Sequence, residues 1–348
     1  MGKSYWARLS FVFLTAVLAL TFAGCTGRGQ PPPEKVKVRL SEVVHSVFYA
    51  PQYVALHKGF FAQEGLEIEL STVWGGDKAM TALVSGNADI GLTGPETTIY
   101  VRQQGSPNKV YSFAQLTKRD GSFLLARKPM PEFKWTDLKG KTVIGGRKGG
   151  VPQMVNEYIL KQNKLLPQRD LTIIQNIQFT ATAGAFKSGT GDFIQLFEPT
   201  ASLLEKEGAG YIVASFGTAG GEVPFTGFMA TEKYIQDNPG SVQKFTNAIY
   251  RAQLWVAGHT PEEITEAIAP SFPDLDRQVL LTAVKRYKAQ DTWMTDPMPK
   301  TQAFEHLQEI MKTAGELKEK VPVEQLVVRQ FAQKAIETVK PEPEQPKK

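Results

Sequence analysis

Apolar and polar residues alternate over positions 36–44 with the two-residue period of a half-buried strand, and the chain then switches to helical spacing. Tyr53, Val54 and Leu56 mark the apolar side of a first helix, which Lys58-Gly59 closes, and a strand is predicted over 68–73. Met80, Leu83 and Val84 stand at i, i+3 and i+4 and predict a second, amphipathic helix. Ser85-Gly86-Asn87 stops it, with Gly86 as the left-handed closing residue. Positions 88–92 form a short apolar run suited to a strand buried in a parallel sheet. The run ends in Thr93-Gly94-Pro95-Glu96, where Thr93 is the expected N-cap of the next helix and Pro95 fits its first turn. Two successive strand–helix units predict a parallel sheet with right-handed crossovers.

Two extended segments, 109–116 and 123–126, separate this series from a second one. A short helical turn over 135–141 leads to strand 142–146, helix 151–163, strand 171–177, helix 181–187, strand 192–197, helix 200–207 and strand 211–216. Positions 225–231 read as a returning strand, and 232–339 as almost wholly helical, with Phe245, Ile249, Leu254 and Trp255 inward on a helix over 241–258. A helical third without a sheet of its own has to pack on an earlier domain. The expected architecture is therefore α/β with two lobes, 36–115 plus 227–340 and 116–226. Crossings near 112–120 and 221–228 join the lobes, and the ligand cleft lies between them.

A length of 348 residues with 42% hydrophobic content is enough for two such lobes. The first 24 positions do not belong to them. Lys3 and Arg8 precede an apolar stretch, 9–22, that is too short for a comfortable membrane span. It closes on Phe22-Ala23-Gly24-Cys25, which resembles the lipobox of bacterial lipoproteins, with Phe22 where leucine is usual. The resemblance implies cleavage after position 24, lipidation of Cys25 and a membrane anchor; an ordinary signal peptide with an incidental cysteine is the alternative. Positions 25–35 read as a Gly/Pro/Gln tether and 341–348 as a disordered, solvated tail. A single cysteine excludes a disulfide framework, a multi-cysteine metal site and a CxxC redox centre. Loss of Lys3 and Arg8 with the leader lowers the formal net charge from +5 to +3, and no basic-aromatic stripe points to nucleic acid.

Four stretches, FYAPQYVALHKGFFAQEGLEIEL, GGDKAMTALVSGNADIGLTGPE, DLKGKTVIGGRKGG and LFEPTASLLEKEGAGYIVASFG, resemble the solute-binding proteins of ABC importers. The narrower resemblance is to the nitrate/sulfonate/taurine family, which includes binders of the thiamine pyrimidine precursor, and it covers positions 36–335. It implies the type II periplasmic-binding-protein fold and hinge closure on a small molecule outside the cytoplasm. It further implies a monomer that hands its solute to a membrane permease driven by a separate ATPase; the chain has no GxxxxGK[ST] of its own. No cofactor, metal or catalytic residue is expected. Yeast-type pyrimidine synthases resemble the same family and make an enzyme on this fold the main rival, but their cysteine-rich motif, any nucleophile–base spacing and HExxH are absent here. A surface scaffold is the third reading.

Ligands in open α/β sheets bind at the carboxyl ends of strands, which selects four loops. In the first, Phe48 and Tyr49 are candidates for stacking, while His45 is either a ligand contact or a structural hydrogen-bonding residue. In the second, Trp74, Gly75 and Gly76 open a helix and admit close approach to its free N–H groups; a plain turn is the alternative. The third offers Thr93, Gly94 and Glu96, the last of which also suits a helix N-terminus without any ligand. In the fourth, Gly145-Gly146-Arg147-Lys148-Gly149-Gly150, Arg147, Lys148 and Gly149 suit an anion, or form a solvated basic turn. Glu198 at a strand end of the second lobe either caps the next helix or reaches the cleft, and Thr226, near the start of the returning strand, is a further candidate contact. Glu96 with Glu198 suits an amino-bearing heterocycle such as a pyrimidine, whereas Arg147 with Lys148 suits a sulfonate- or nitrate-type anion. Uncompensated carboxylates in a dry cleft favour the heterocycle.

Overall fold

The computed structural model describes residues 34–340, so the leader, Cys25, most of the tether and the tail from 341 lie outside the described residues. Two five-stranded sheets organise the rest. The first contains β1 (Val36–Glu42), β2 (Leu66–Thr72), β3 (Ile90–Thr93), β4 (Val110–Thr117) and β10 (Thr226–Thr231), in the order β2-β1-β3-β10-β4. The second contains β5 (Ser122–Ala126), β6 (Thr142–Ile144), β7 (Thr172–Ile174), β8 (Phe193–Phe197) and β9 (Tyr211–Ser215), in the order β7-β6-β8-β5-β9.

The alternation read in β1 has a direct structural counterpart. Val38 and Leu40 are fully buried, while Lys37 and Arg39 point outward to Glu69 and Asp89. The sheets are mixed rather than parallel as expected: β10 runs antiparallel to β3 and β4, and β5 antiparallel to β8 and β9. The reason is the exchange between lobes. A strand that arrives directly from the other sheet has no crossover helix to turn it into the parallel sense. Strand 171–177 shrinks to Thr172–Ile174, and a short helix not anticipated, Phe216–Gly220, follows β9.

Helices cover both sheets: α1 (Ala50–His57), α2 (Phe60–Gln63), α3 (Gly76–Val84) and α4 (Glu96–Gln103) in the first series, then α5 (Val151–Gln162), α6 (Thr182–Lys187) and α7 (Thr200–Lys206) in the second. After the short helix α8 (Phe216–Gly220) come α9 (Glu232–Asp237), α10 (Pro239–Gly258), α11 (Pro261–Ile268), α12 (Arg277–Ala289), α13 (Thr301–Ala314) and α14 (Gln330–Thr338). Helix α10 buries Phe245, Ile249, Ala252 and Trp255 against α1 and α14; Leu254, expected inward, is only half-buried because it lies off that stripe. The C-terminal helices touch both series, with α13 against α5 and α12 against α7.

Two segments cross between the sheets, 118–121 after β4 and 221–225 before β10. They hydrogen-bond to each other through Val223 N–H to Lys118 C=O (3.0 Å) and Phe225 N–H to Thr117 C=O (3.3 Å). The hydroxyls of Thr117 and Thr226 meet at 2.6 Å, and Thr292 C=O accepts from Lys118 N–H at 2.9 Å. The carboxyl ends of β1, β2, β3, β6 and β7 all face one cavity beside these crossings.

Candidate functional site

The cavity encloses about 570 Å³ and draws residues from both sheets. Its first wall comes from the turn after β1 and the start of α3. Ser46 caps a single 3-10 turn, Val47–Tyr49, by accepting Phe48 N–H at 3.2 Å, and this turn places Phe48 and Tyr49 at the cavity. Phe48 is 1% exposed and its ring contacts Tyr49, Phe197, Phe225 and Tyr287, with centroid separations of 5.4–5.6 Å. Trp74, the last residue before the Gly75-Gly76 pair, sits in the left-handed region at φ 57°, uncommon for a bulky side chain. It is 43% exposed at the cavity, as is Phe179 (40%) from the loop after β7.

The second wall is the β3–α4 junction. Pro95, not Thr93, is the N-cap, and it lacks a side-chain acceptor; Thr93 remains the last residue of β3, and its hydroxyl, although fully buried, has no hydrogen-bond partner among the described residues. Glu96 opens α4, lines the cavity and is 6% exposed. Its Oε2 has no hydrogen-bond partner among the described residues, and a Cβ on Gly94 would lie 2.0 Å from that oxygen. Only glycine at position 94 leaves the carboxyl room to lie there. Burial pushes the Glu96 carboxyl up to about 8, against the opposing pull of the N–H groups of Glu96 itself, Val151 and Thr97.

The loop Gly145–Gly150 forms the opposite wall, and contacts here tie the two sides together. Arg147 Nη2 donates to Asp77 Oδ1 at 2.9 Å, and the Tyr100 hydroxyl donates to Gly149 C=O at 2.9 Å. The Arg147 guanidinium is thus already paired, whereas Lys148 is exposed with no ion pair among the described residues. Gln195 braces the floor, accepting Gly146 N–H (3.3 Å) and donating to Ser122 Oγ (2.8 Å) and Pro152 C=O (3.1 Å).

Twelve of the fourteen residues proposed for ligand contact from the sequence line this cavity: Phe48, Tyr49, Trp74, Gly75, Gly76, Thr93, Gly94, Glu96, Arg147, Lys148, Gly149 and Thr226. His45 and Glu198 do not. His45 turns back into its own lobe, with Nδ1 2.9 Å from Glu42 Oε1 and Nε2 2.7 Å from Ser271 C=O. Glu42 and the Ser271 carbonyl are acceptors, which suits a proton on each ring nitrogen; the Glu42 hydrogen bond raises the His45 pKa, with burial opposing. Glu198 is held by Ser202 N–H and Oγ (each 2.9 Å) and by Arg286 Nη1 (2.8 Å). At the end of β8, Phe197 enters the cavity while its neighbour Glu198 faces the interior. Phe197 and Phe225, beside Glu198 and Thr226, line the cavity and were missed, as were Tyr100, Phe179 and Gln195.

Because His45 has its pKa raised, its ion pair adds stability that is fully present below the unfolded histidine value of about 6.5 and fades as pH rises through the folded value. The expected result is a melting temperature that falls more steeply above neutral pH for the wild type than for His45→Ala. Parallel slopes across that range would show that the charged pair contributes nothing.

The profile of the NMT1/THI5-like family matches residues 47–264, which holds most of both sheets and every cavity-lining residue except Val43 and Val44. The chain belongs to the NMT1/THI5-like family. Within reach of this family assignment, a protein of Bacillus subtilis (strain 168), YtlA, which is named as a binding protein, is 49% identical over 330 residues, covering 94% of this chain and 98% of that one. RibY of Chloroflexus aurantiacus (strain ATCC 29366 / DSM 635 / J-10-fl), named as a riboflavin-binding protein, is 26% identical over 341 residues, covering 91% of each. Among solved structures, the alkanesulfonate-binding protein SsuA from Xanthomonas axonopodis pv. citri, bound to MOPS, aligns with a TM-score of 0.68 at 17% identity, covering 85% of this chain and 99% of that one. At that identity the likeness concerns the fold, and this NMT1/THI5-like chain has the type II periplasmic-binding-protein fold.

Proposed function

We propose that this protein is the extracytoplasmic solute-binding component of an ABC importer and that its ligand is a small, uncharged heteroaromatic molecule of pyrimidine-like or larger ring system. On this reading the lobes close over the ligand about the crossings at 118–121 and 221–225 and present it to a separate permease and ATPase. Cys25 carries a lipid anchor, the protein works as a monomer, and no cofactor takes part. Lobe one comprises 36–115 and 227–340, and lobe two 116–226.

The observation that carries the ligand class is the combination of aromatic walls with a buried, unpaired carboxyl. Phe48, Tyr49, Phe197 and Phe225 offer ring faces and edges, Trp74 and Phe179 stand exposed at the cavity, and Glu96 places a buried carboxyl in the lining. A sulfonate or nitrate calls for a free cation within the lining, whereas the Arg147 guanidinium is already held by Asp77 and Lys148 is exposed. The names of the 49% identical binding protein and the 26% identical riboflavin-binding protein support a binder rather than an enzyme, and the latter supports a planar ring.

A thermal-shift panel of nitrate, alkanesulfonates, pyrimidines and flavins tests this reading, since a binder gains RT ln(1 + [L]/Kd) in stability. Stabilisation by a heteroaromatic alone is the expected result; stabilisation by the anions alone, or turnover of a heteroaromatic, would overturn it. The pairing of Arg147 also changes what its removal should do. Asp77 is 65% exposed and Arg147 36%, so Arg147→Ala is expected to cost the bound state no more than about 1 kcal/mol, roughly fivefold in affinity. A loss of a hundredfold by titration calorimetry would restore Arg147 as a direct ligand contact.

A further inference from the structure

We propose that the Glu96 carboxyl reads the ligand's ring in its uncharged form, by pairing with an amide-like C=O/N–H edge of an oxo-heteroaromatic. The inference rests on the heteroaromatic reading and specifies the edge that such a ring presents. Two residues that line the cavity carry buried polar atoms without partners among the described residues, Glu96 Oε2 and the Thr93 hydroxyl. A Cβ on Gly76 would lie 3.2 Å from that hydroxyl and 3.9 Å from Glu96 Oε1, so Thr93, Glu96 and the glycine-opened loop converge there. Buried polar groups are ordinarily hydrogen-bonded, and two neighbouring exceptions beside a cavity call for a partner that enters it.

The charge state follows from the surroundings. No cation pairs with Glu96 among the described residues: Arg147 is held by Asp77, and Lys148 is exposed on the opposite loop. The other titratable groups near it are phenols, Tyr49 from the 3-10 turn, made harder to ionise by burial, then Glu42 and Glu96, and Tyr100 from α4, made harder to ionise by burial, then Glu96 and Glu316 beyond α13. An ionised carboxylate with a buried, unpartnered oxygen is far more costly in that setting than a neutral carboxyl. A neutral carboxyl offers one O–H donor and one C=O acceptor side by side. That is the complement of a lactam or imide edge, which offers one C=O and one N–H in the same spacing, so two hydrogen bonds close a ring. An ionised carboxylate would instead select an edge with two donors, such as a protonated aminopyrimidine. The upward shift of the Glu96 carboxyl agrees with the neutral form.

The test uses riboflavin, whose ring carries an imide edge, and its N3-methyl derivative, in which the N–H of that edge is removed and the ring faces are kept. With the full protein, calorimetry is expected to show N3-methylriboflavin binding at least about tenfold more weakly than riboflavin. Glu96→Gln, whose amide offers the same donor–acceptor pair, should stay within about threefold of the wild type. Glu96→Ala should lose about tenfold or more. Wild-type affinity should decline between about pH 7 and pH 9 while that of Glu96→Gln stays level. Equal binding of the two flavins overturns the inference without any reliance on a variant that folds poorly, and so does a Glu96→Gln loss as large as that of Glu96→Ala. If no lactam-bearing ring binds but a 4-aminopyrimidine does, the inference falls and the heteroaromatic reading survives. If only nitrate or an alkanesulfonate binds, or nothing does, both fall.

Discussion

Phe48→Ala is expected to destabilise the protein by about 3–5 kcal/mol and to abolish measurable ligand binding. The side chain is 1% exposed and stands where the two lobes meet, with Tyr49 from its own turn, Phe197 from β8, Phe225 from the second crossing and Tyr287 from α12 around it. Loss of the ring removes aromatic contacts on four sides, and those neighbours belong to different elements that cannot all collapse into the gap. The second crossing loses its packing in the same step, because Phe225 lies edge-on to Phe48 at 5.6 Å. Gly121 supplies an independent check from the other side of the ring. A Cβ there would lie 2.3 Å from the Phe48 ring, so Gly121→Ala should also destabilise, by overpacking, at about 1–3 kcal/mol. Urea denaturation of both variants decides the matter; a Phe48→Ala midpoint within error of the wild type would show that the ring does not join the lobes.

Glu198→Ala should lower stability by about 2–4 kcal/mol while leaving the affinity of correctly folded protein within about twofold. Its carboxylate is fully buried, accepts from Ser202 N–H and Oγ, and pairs with Arg286 at 2.8 Å. Removal leaves the Ser202 amide unsatisfied and Arg286, 27% exposed, with Glu205 and the Ser202 hydroxyl as its remaining partners. The partial exposure of Arg286 and its second carboxylate keep the cost below that of a fully orphaned buried charge. Calorimetry with a ligand identified by the thermal-shift panel, alongside a denaturation curve, separates the two effects. A tenfold loss of affinity at unchanged stability would return Glu198 to the binding site.

These two residues show where the sequence was legible and where it was not. Phe48 could be placed because it follows a strand and precedes a helix, and such a junction lies at the carboxyl edge of a sheet whichever sheet it belongs to. Glu198 has the same local credentials and faces the other way. The difference lies in Arg286, 88 positions later in a helix whose packing against α7 no local pattern announces. His45 fails for the same reason, since its second partner is the carbonyl of Ser271. The mixed sense of the sheets was equally hidden, because the direction of β10 and β5 depends on which sheet the chain has just left.

The sequence alone determined the local units: β1 from its two-residue alternation, α3 from Met80, Leu83 and its Gly86 stop, and the glycine-opened loops at 74–77 and 145–150. Those features depend on residues within a few positions of one another, where backbone sterics and hydrophobic periodicity act directly. Only the tertiary structure decided which side chain of each strand end enters the cavity. It also decided that Arg147 is taken by Asp77, and that the Thr93 hydroxyl and Glu96 Oε2 are left without partners among the described residues. Those outcomes turn on whether a polar group finds its partner elsewhere in the chain, and burial, which makes that partner compulsory, exists only once the lobes are packed.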